Sequence, residues 1–288
     1  MATLEDGCYL YGVTAISSED REPILTGMAP LDIVEAPFDL GLDHARVYLL
    51  KRGNLAAVVG LVPLADFSAE ALQARLGDPS MLRLAVQMHN DVIHAIHQQQ
   101  TILPARFGAV YANLDDVTAE IDRRSDALRA QLSWLDGCDE WAVHISVDQQ
   151  AVRAAILADQ ALDPVHQQLA TVSPGRAYLL GRKWEEGLAA KTAQAGDELA
   201  LAAYQRLASL AVDGIPTRPV SSSGNPDGEA EVLRAAFLVR RERAEDFVSA
   251  VRECGETERG YQCTCSGPWP PYSFVATTER DDDERQDA

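Results

Sequence analysis

The residues that could support metal or redox chemistry in this chain are its cysteines. Cys263 and Cys265 form a C-x-C pair, and in a strand their side chains would point to the same face. A structural zinc site usually has four ligands and at least one C-x-x-C arm, and this chain contains no such arm. We interpret the pair as small, half-buried residues of a reduced protein. A metal-dependent enzyme that uses Cys263 and Cys265 remains an alternative.

Three histidines lie in one predicted helix, but their spacing does not favour a metal site. A zincin-type site needs histidines at i and i+4 with a glutamate between them, whereas His94 and His97 are three residues apart. At about 100° per residue we expect His94 and His97 on the polar face, and His89 at the rim of the apolar stripe. The sequence therefore predicts a solvated helix face here and no bound metal.

Motifs for nucleophilic catalysis and phosphate binding are missing from the sequence. It contains no G-x-S-x-G elbow, no G-x-x-x-x-G-K-[ST] loop and no G-x-G-x-x-G turn. Gly175-Arg176, near the start of a long predicted helix, could hold an anion, although packing or capping is the favoured interpretation. Arg106 could pair with a carboxylate across a domain junction or present its guanidinium to a partner. We predict no catalytic residue and no cofactor.

The charge balance excludes several classes of partner. The chain has a formal net charge of −19 and no basic run, so we expect neither nucleic acid nor an anionic membrane surface as a partner. No apolar stretch reaches the about 20 residues that cross a bilayer. The N-terminus, MATLEDGCYLYG, lacks the features of a secretory signal, and we therefore predict a cytoplasmic protein.

Hydrophobic periodicity predicts an α+β fold. In the first half the pattern predicts a strand over 7–15, a hairpin over 45–63 that turns at Arg52-Gly53-Asn54, and a strand over 102–111. Helices are predicted over 66–76, from Pro79 and from Asp115. The apolar stripe of the helix from Pro79 is predicted to be Met81, Leu84, Ala85, Met88, Val92 and Ala95. The stripe of the helix from Asp115 is predicted to be Val117, Ile121, Leu128, Leu132 and Leu135.

The second half follows the order β-α-(α)-β-β-α-β. Residues 140–148 are a predicted strand, 149–172 a helix that kinks at Pro164, and 173–211 a long helix. This order predicts a modified ferredoxin-like βαββαβ domain with an extra long helix in the first crossover. The predicted organisation is an N-terminal α+β domain (1–112), a connecting helix (113–138), the ferredoxin-like domain (139–276) and an acidic disordered tail (277–288), with a further polar loop at 221–229.

The stretch GPWPPYSFV at 267–275 crowds three prolines and three aromatic residues into nine positions. Proline fixes its own φ and pushes the preceding residue towards extended backbone, so the segment should be stiff. We predict that it leads into a closing strand at 272–275, with Trp269 and Tyr272 packed on the ferredoxin-like core. Alternatively, it presents an aromatic-proline ledge to a partner.

Several motifs, in this order, resemble the gas vesicle protein F/L family. They are YLYGV (9–13), ILPARFG (102–108), EWAVHI (140–145), SPGRAYLLGRKWE (173–185) and GPWPPYSFV. One departure is His144, where the family more often has lysine. The resemblance implies two α+β domains and a non-enzymatic accessory protein of gas vesicles, with the major shell protein and other accessory proteins as partners.

The family motifs supply the partner-binding candidates. These residues are Pro104, Arg106, Phe107, Gly108, Gly175, Arg176, Tyr178, Trp269, Pro270, Pro271, Tyr272 and Phe274. An acidic escort could bind an aggregation-prone apolar shell subunit and keep the complex dispersed by charge. The resemblance thus implies a chaperone-like assembly factor or a minor shell-associated component located at gas vesicles. A small-ligand sensor built from two α+β domains is the alternative that involves no gas vesicle.

Overall fold

The computed structural model describes residues 6–16, 33–35, 42, 46–67, 78–159, 173–217, 228–256 and 260–275. The fold is α+β with two antiparallel sheets. Contacts divide the chain into two compact units, Met1–Cys138 with Trp269–Ala288, and Asp139–Pro268. The predicted kink at Pro164 and the acidic tail lie outside the described residues, as do most of the predicted helix 66–76 and most of the loop 221–229.

A six-stranded sheet forms the centre of the first unit. Its strands are β1 (Asp6–Ala15), β2 (Ile33–Glu35), β3 (Val47–Arg52), β4 (Leu55–Pro63), β5 (Ile102–Pro104) and β6 (Val110–Tyr111). The order is β2-β3-β4-β1-β5, and β6 also pairs with β1. The predicted hairpin is confirmed as β3–β4, with Gly53 at φ +62° in the turn. The predicted strand 102–111 is interrupted, because residues 105–109 leave the sheet as a loop.

Two helices, α1 (Pro79–His97) and α2 (Leu114–Leu135), pack against this sheet. Tyr9 and Tyr11 of β1 belong to a core cluster that includes Ile93 of α1, whereas Leu10 and Leu128 of α2 line a common cleft. Because adjacent side chains of a strand point to opposite faces, the two helices cover opposite faces of the sheet.

The predicted stripe of α2 is confirmed, since all five of its residues are buried. The predicted stripe of α1 is wrong in its first turns, where Met81 and Leu84 are about half exposed at 47% and 50%. The buried side of α1 starts at His89 and includes His97, which the sequence predicts on the polar face. A polar side chain that finds a partner can be buried, and apolar periodicity alone does not reveal that partner.

The second unit contains a four-stranded sheet in the order β10-β7-β9-β8. Its strands are β7 (Cys138–Asp148), β8 (Asp213–Thr217), β9 (Glu229–Arg240) and β10 (Tyr261–Trp269), and its helices are α3 (Gln149–Asp159), α4 (Pro174–Ala208) and α5 (Ala244–Glu256). Phe237 of β9, Phe247 of α5 and Leu207 of α4 are fully buried in one core cluster. The sheet therefore shares one core with α4 and α5.

The closing segment, which we define as residues 269–275, differs from its prediction. The last strand, β10, ends at Trp269, and Tyr272–Phe274 form a 3-10 turn instead of a strand. Pro270 and Pro271 have no N–H groups for a sheet ladder, so pairing stops there. The segment also groups with the first unit, and not with the 139–276 domain that the sequence predicted. Likewise, the predicted connecting helix 113–138 corresponds to α2, which packs on the first sheet.

Candidate functional site

The loop after β5, which carries Pro104, Arg106, Phe107 and Gly108, is anchored by a buried tyrosine. The Tyr9 hydroxyl accepts the Gly108 N–H at 3.0 Å and lies 2.9 Å from Nδ1 of His89. The Phe107 ring meets the His89 ring edge-on, with 5.7 Å between centroids. Gly108 has φ +85°, a conformation that glycine adopts without strain. The loop is therefore held in position by its contacts with the buried Tyr9 and His89.

The pKa shifts of Tyr9 and His89 favour a structural role for this pair over proton transfer. His89 is 2% exposed, and burial lowers its pKa from 6.5 to about 4. Burial also raises the pKa of Tyr9. Both groups are therefore neutral at neutral pH, and the Tyr9 hydroxyl and Nδ1 of His89 share one hydrogen bond. Such a pair fixes the loop but supplies neither a charged base nor a metal ligand in its present contacts.

A cleft of about 240 Å³ opens on the α2 face of the sheet in the first unit. Its walls come from β1, β5, the anchored loop, β6, α2 and the closing segment. The lining residues are Leu10, Gly12, Val13, Leu103, Pro104, Ala105, Arg106, Ala109, Tyr111, Arg124, Leu128, Gln131 and Val275. Among the residues that the structure describes, this lining combines an apolar floor with two arginines and contains no acidic side chain.

The closing segment forms one wall of the cleft through Val275. The Gln131 amide donates to the Phe274 carbonyl at 3.3 Å, and the Phe274 and Trp134 rings lie 6.2 Å apart. The Tyr272 hydroxyl donates to the Asn90 side-chain oxygen at 3.0 Å. Trp269 is 44% exposed and Tyr272 is 38% exposed, whereas Pro270, Pro271 and Phe274 are buried. The prediction that Trp269 and Tyr272 pack on the ferredoxin-like core is wrong for Tyr272, whose partner belongs to the first unit.

The third predicted motif lies on α4 in the second unit. Gly175 and Arg176 are exposed in the first turn of α4, and Tyr178 is 70% exposed. The predicted N-cap, Ser173, makes no side-chain capping hydrogen bond. Two of the three motifs therefore share the first unit, and the third belongs to the other unit.

The cysteine pair is part of the packing of the second unit. Cys263 and Cys265 on β10 and Cys254 on α5 pack against its core cluster as free thiols. Burial raises the pKa of Cys263 to about 12, so its thiol is protonated at neutral pH. Throughout the described ranges, no three His, Cys, Asp or Glu side chains are grouped so that they could hold a metal ion. In the same ranges, no helix combines the length and hydropathy needed to cross a bilayer.

Sequence reasoning missed the α2 contribution to the cleft. Arg124, Leu128 and Gln131 follow one another at i, i+4 and i+7, which places Arg124 and Gln131 on the same helix face as Leu128 of the buried stripe. That spacing was available as a signal. The contact between Tyr9 and His89 could not be predicted from local spacing, because the two residues are 80 positions apart.

The architecture is that of solved gas vesicle proteins. The crystal structure of gas vesicle protein F from Anabaena sp. PCC7120 matches with a TM-score of 0.65 and 20% identity over 95% of this chain and 100% of that one. The corresponding structure from Microcystis aeruginosa matches with a TM-score of 0.62 and 18% identity over 94% of this chain and 99% of that one. At these identities the likeness defines the fold.

Sequence comparison defines the family. The profile of the family described as "Gas vesicle synthesis protein GvpL/GvpF" matches residues 7–276. Gas vesicle protein L of Streptomyces sp. (strain CB03234) is 34% identical over 95% of this chain and 99% of its own length. Gas vesicle protein F of the same strain is 30% identical over 93% of this chain and 98% of its own length. This chain belongs to the GvpL/GvpF family of gas vesicle accessory proteins, which is not a known enzyme family.

Proposed function

We propose that this chain binds the small hydrophobic shell protein of gas vesicles and assists its assembly, either as a chaperone-like factor or as a minor shell-associated component. The observation that carries the proposal is the family match over residues 7–276. A subunit with large apolar surfaces aggregates before it assembles unless those surfaces are covered. A partner with a net charge of −19 would keep the bound complex dispersed through charge repulsion.

The exposed aromatic side chains of the family motifs are the proposed contacts for the shell protein. Phe107, Trp269 and Tyr272 are between 38% and 44% exposed in the first unit, and Tyr178 is 70% exposed in the second. Aromatic side chains contribute strongly to interfaces because they bury much area at low entropic cost. The remaining motif residues, Pro104, Arg106, Gly108, Gly175, Arg176, Pro270, Pro271 and Phe274, shape or flank these surfaces.

The same proposal extends to the fold and the location. The strand order β10-β7-β9-β8 supports a modified ferredoxin-like domain in which α4 is the additional helix of the first crossover. We place its boundary near Pro268, where the contacts separate the units, instead of at residue 276. The protein would act in the cytoplasm at gas vesicles, together with other accessory proteins.

Co-purification with the shell protein tests the proposal directly. The full chain, mixed with shell protein released from denaturant, should hold it in the supernatant and suppress light scattering in proportion to its concentration. Failure to retain the shell protein or to reduce scattering would contradict the binding role.

Single substitutions identify the contact surface. We expect Trp269→Ser and Tyr178→Ser to weaken retention, each by about tenfold if the residue is an interface hot spot. Leu201→Ser is the matched control, since Leu201 is an apolar residue of α4, 58% exposed, outside every family motif. Equal effects of all three substitutions would argue for non-specific hydrophobic association.

A further inference from the structure

We infer that the outer edge of β8, the side of this strand that faces away from β9, is closed to pairing with a second copy of the chain. Tyr204, Asp213 and Pro216 close it. The inference goes beyond the proposed function and does not depend on it. Three features of β8 support it: its place in the sheet, the direction of its backbone groups and its side-chain contacts.

Within the described residues, β8 (Asp213–Thr217) is an outermost strand of the second sheet and pairs with β9. An outermost strand has one row of backbone N–H and C=O groups that its own sheet does not use. The same row of a second molecule can pair with it and join the two sheets into one, which is a common route to aggregation. The hydrogen bonds of this row therefore decide whether the second unit can associate edge to edge.

The proline of β8 shows which residues form the outer row. The register with β9 is antiparallel and continuous over all five residues of β8. In such a pair, residues that bond to the partner strand alternate with residues whose backbone groups point away from it. Pro216 has no N–H, so a ladder that continues past it must be formed by Asp213, Ile215 and Thr217. Gly214 and Pro216 therefore direct their backbone groups to the outer edge.

Both outward backbone groups of Gly214 are already bonded within the chain. Its N–H donates to Oδ1 of Asp213 at 2.8 Å, and its carbonyl oxygen accepts the hydroxyl of Tyr204 at 2.7 Å. Pro216, the other outward residue, offers a carbonyl oxygen but no N–H. Over Asp213–Thr217, the outer row therefore has no N–H group available to a second strand.

The Tyr204 hydroxyl is held at the edge by packing in the second unit. Tyr204 lies on α4, and its ring packs against the ring of Phe237 of β9, with 5.5 Å between centroids. Phe237 is fully buried in the core cluster of this unit. A Cβ at Gly214 would lie 3.1 Å from both the Tyr204 hydroxyl oxygen and the Phe237 ring. Glycine at this position thus allows the hydroxyl to reach the backbone.

A symmetric pair of two copies shows what this arrangement prevents. Two β8 strands that paired antiparallel about Ile215 would place each Gly214 opposite a Pro216. A complete ladder there needs an N–H and a carbonyl from both residues. The Pro216 N–H does not exist, and side chains occupy both groups of Gly214. Pairing would break these side-chain bonds without forming a full ladder, so it is disfavoured.

Substitutions that open the edge, followed by sedimentation velocity of the full chain, test the inference. In the variant Tyr204→Phe/Asp213→Ala/Pro216→Val, both outward residues offer a free N–H and a free carbonyl. We expect it to self-associate at least about tenfold more tightly than the parent chain, because a symmetric pair then forms a complete ladder. Its infrared amide I band should gain the component of intermolecular β-sheet. Equal self-association of the two chains would overturn the inference.

A matched triple variant isolates the contribution of Tyr204. Tyr178→Phe/Asp213→Ala/Pro216→Val also removes a hydroxyl from α4, at a residue that is 70% exposed, but it leaves the Gly214 carbonyl occupied. We expect this chain to self-associate at least about threefold more weakly than the variant that contains Tyr204→Phe. If the two triple variants associate equally, Tyr204 does not close the edge.

A single substitution provides the second test if the triple variant unfolds at lower urea concentrations than the parent chain. Asp213→Ala frees the Gly214 N–H and changes no other group of the outer row. Asp213→Asn removes the same negative charge but keeps a side-chain oxygen that can accept this N–H. Asp213→Ala should strengthen self-association by about threefold, whereas Asp213→Asn should match the parent chain. Equal behaviour of the two variants would show that charge, and not the hydrogen bond, controls the edge.

Discussion

The hydroxyl of Tyr9 lies 2.9 Å from Nδ1 of His89, which joins the first strand to α1 across 80 residues. The same hydroxyl accepts the N–H of Gly108, 99 residues along the chain. One buried phenol thus connects the centre of the sheet, a helix and the loop that borders the cleft. The stability of the first unit and the geometry of the cleft are coupled through this contact.

The buried His89 predicts a pH dependence of the first unit. Its pKa is about 4 in the folded state and 6.5 in the unfolded chain, so between these values the unfolded state binds the proton and the folded state does not. The free energy of unfolding is therefore highest above pH 6.5. It decreases by about 3 kcal/mol as the pH falls to about 4, because the unfolded state gains the proton first. Urea unfolding at pH 7.5 and 4.5 measures the loss.

Other acidic groups of this chain can also affect its stability as the pH falls. A comparison of histidine variants therefore isolates the contribution of His89. In His89→Gln the decrease between pH 7.5 and 4.5 should be smaller than in the parent chain by about 2–3 kcal/mol, which is most of the histidine contribution. His94→Gln, on the same helix, removes a half-buried imidazole and should keep the full decrease. If both variants behave alike, His89 is not the responsible group.

Removal of the Tyr9 hydroxyl should loosen the loop that borders the cleft. Tyr9→Phe leaves the Gly108 N–H and the buried Nδ1 of His89 without their partner, at a cost of about 1–3 kcal/mol. Hydrogen exchange should show the Gly108 amide exchanging faster. Tyr48→Phe, at a half-buried position of β3, is the control, and an equal loss there would contradict the special role of Tyr9.

Gly267 should tolerate no side chain. Its φ is +149°, and an added Cβ would lie 2.9 Å from the Glu140 carbonyl oxygen and from the Trp141 ring. Gly267→Ala therefore combines backbone strain with overpacking and should lower the free energy of unfolding by about 3 kcal/mol. Gly53→Ala separates the two effects, because Gly53 also has positive φ but its Cβ would meet nothing within 4 Å. We expect a loss of about 1 kcal/mol there, measured by urea unfolding.

The thiols should be unreactive in the folded protein. Burial raises the pKa of Cys8 and Cys263 to about 12, so their thiolate fraction at pH 8 is about a thousandfold below that of a free thiol. Ellman's reagent at pH 8 should label them far more slowly in buffer than in urea. Rapid labelling of Cys263 in the native chain would revive a redox or metal role for the pair with Cys265.

Local patterns predicted the elements whose partners are close in sequence. The β3–β4 hairpin depends on a glycine turn of two residues, and the stripe of α2 depends on spacing within one helix. By contrast, the prediction for α1 placed Met81 and Leu84 in the core and His97 on the surface. The error arose because Tyr9 and the sheet decide which side of α1 is buried, and they lie far away in the chain.

The sequence by itself determined the α+β class, the family and the positions of the prolines in the closing segment, since these depend on residue types and short spacings. Only the tertiary structure decided that this segment turns after Trp269, groups with the first unit and completes a cleft with Arg106 and Arg124. Prolines dictate where a ladder of hydrogen bonds must stop, but not which surface the chain reaches next. That choice depends on contacts such as Gln131 with Phe274, which join residues 143 positions apart.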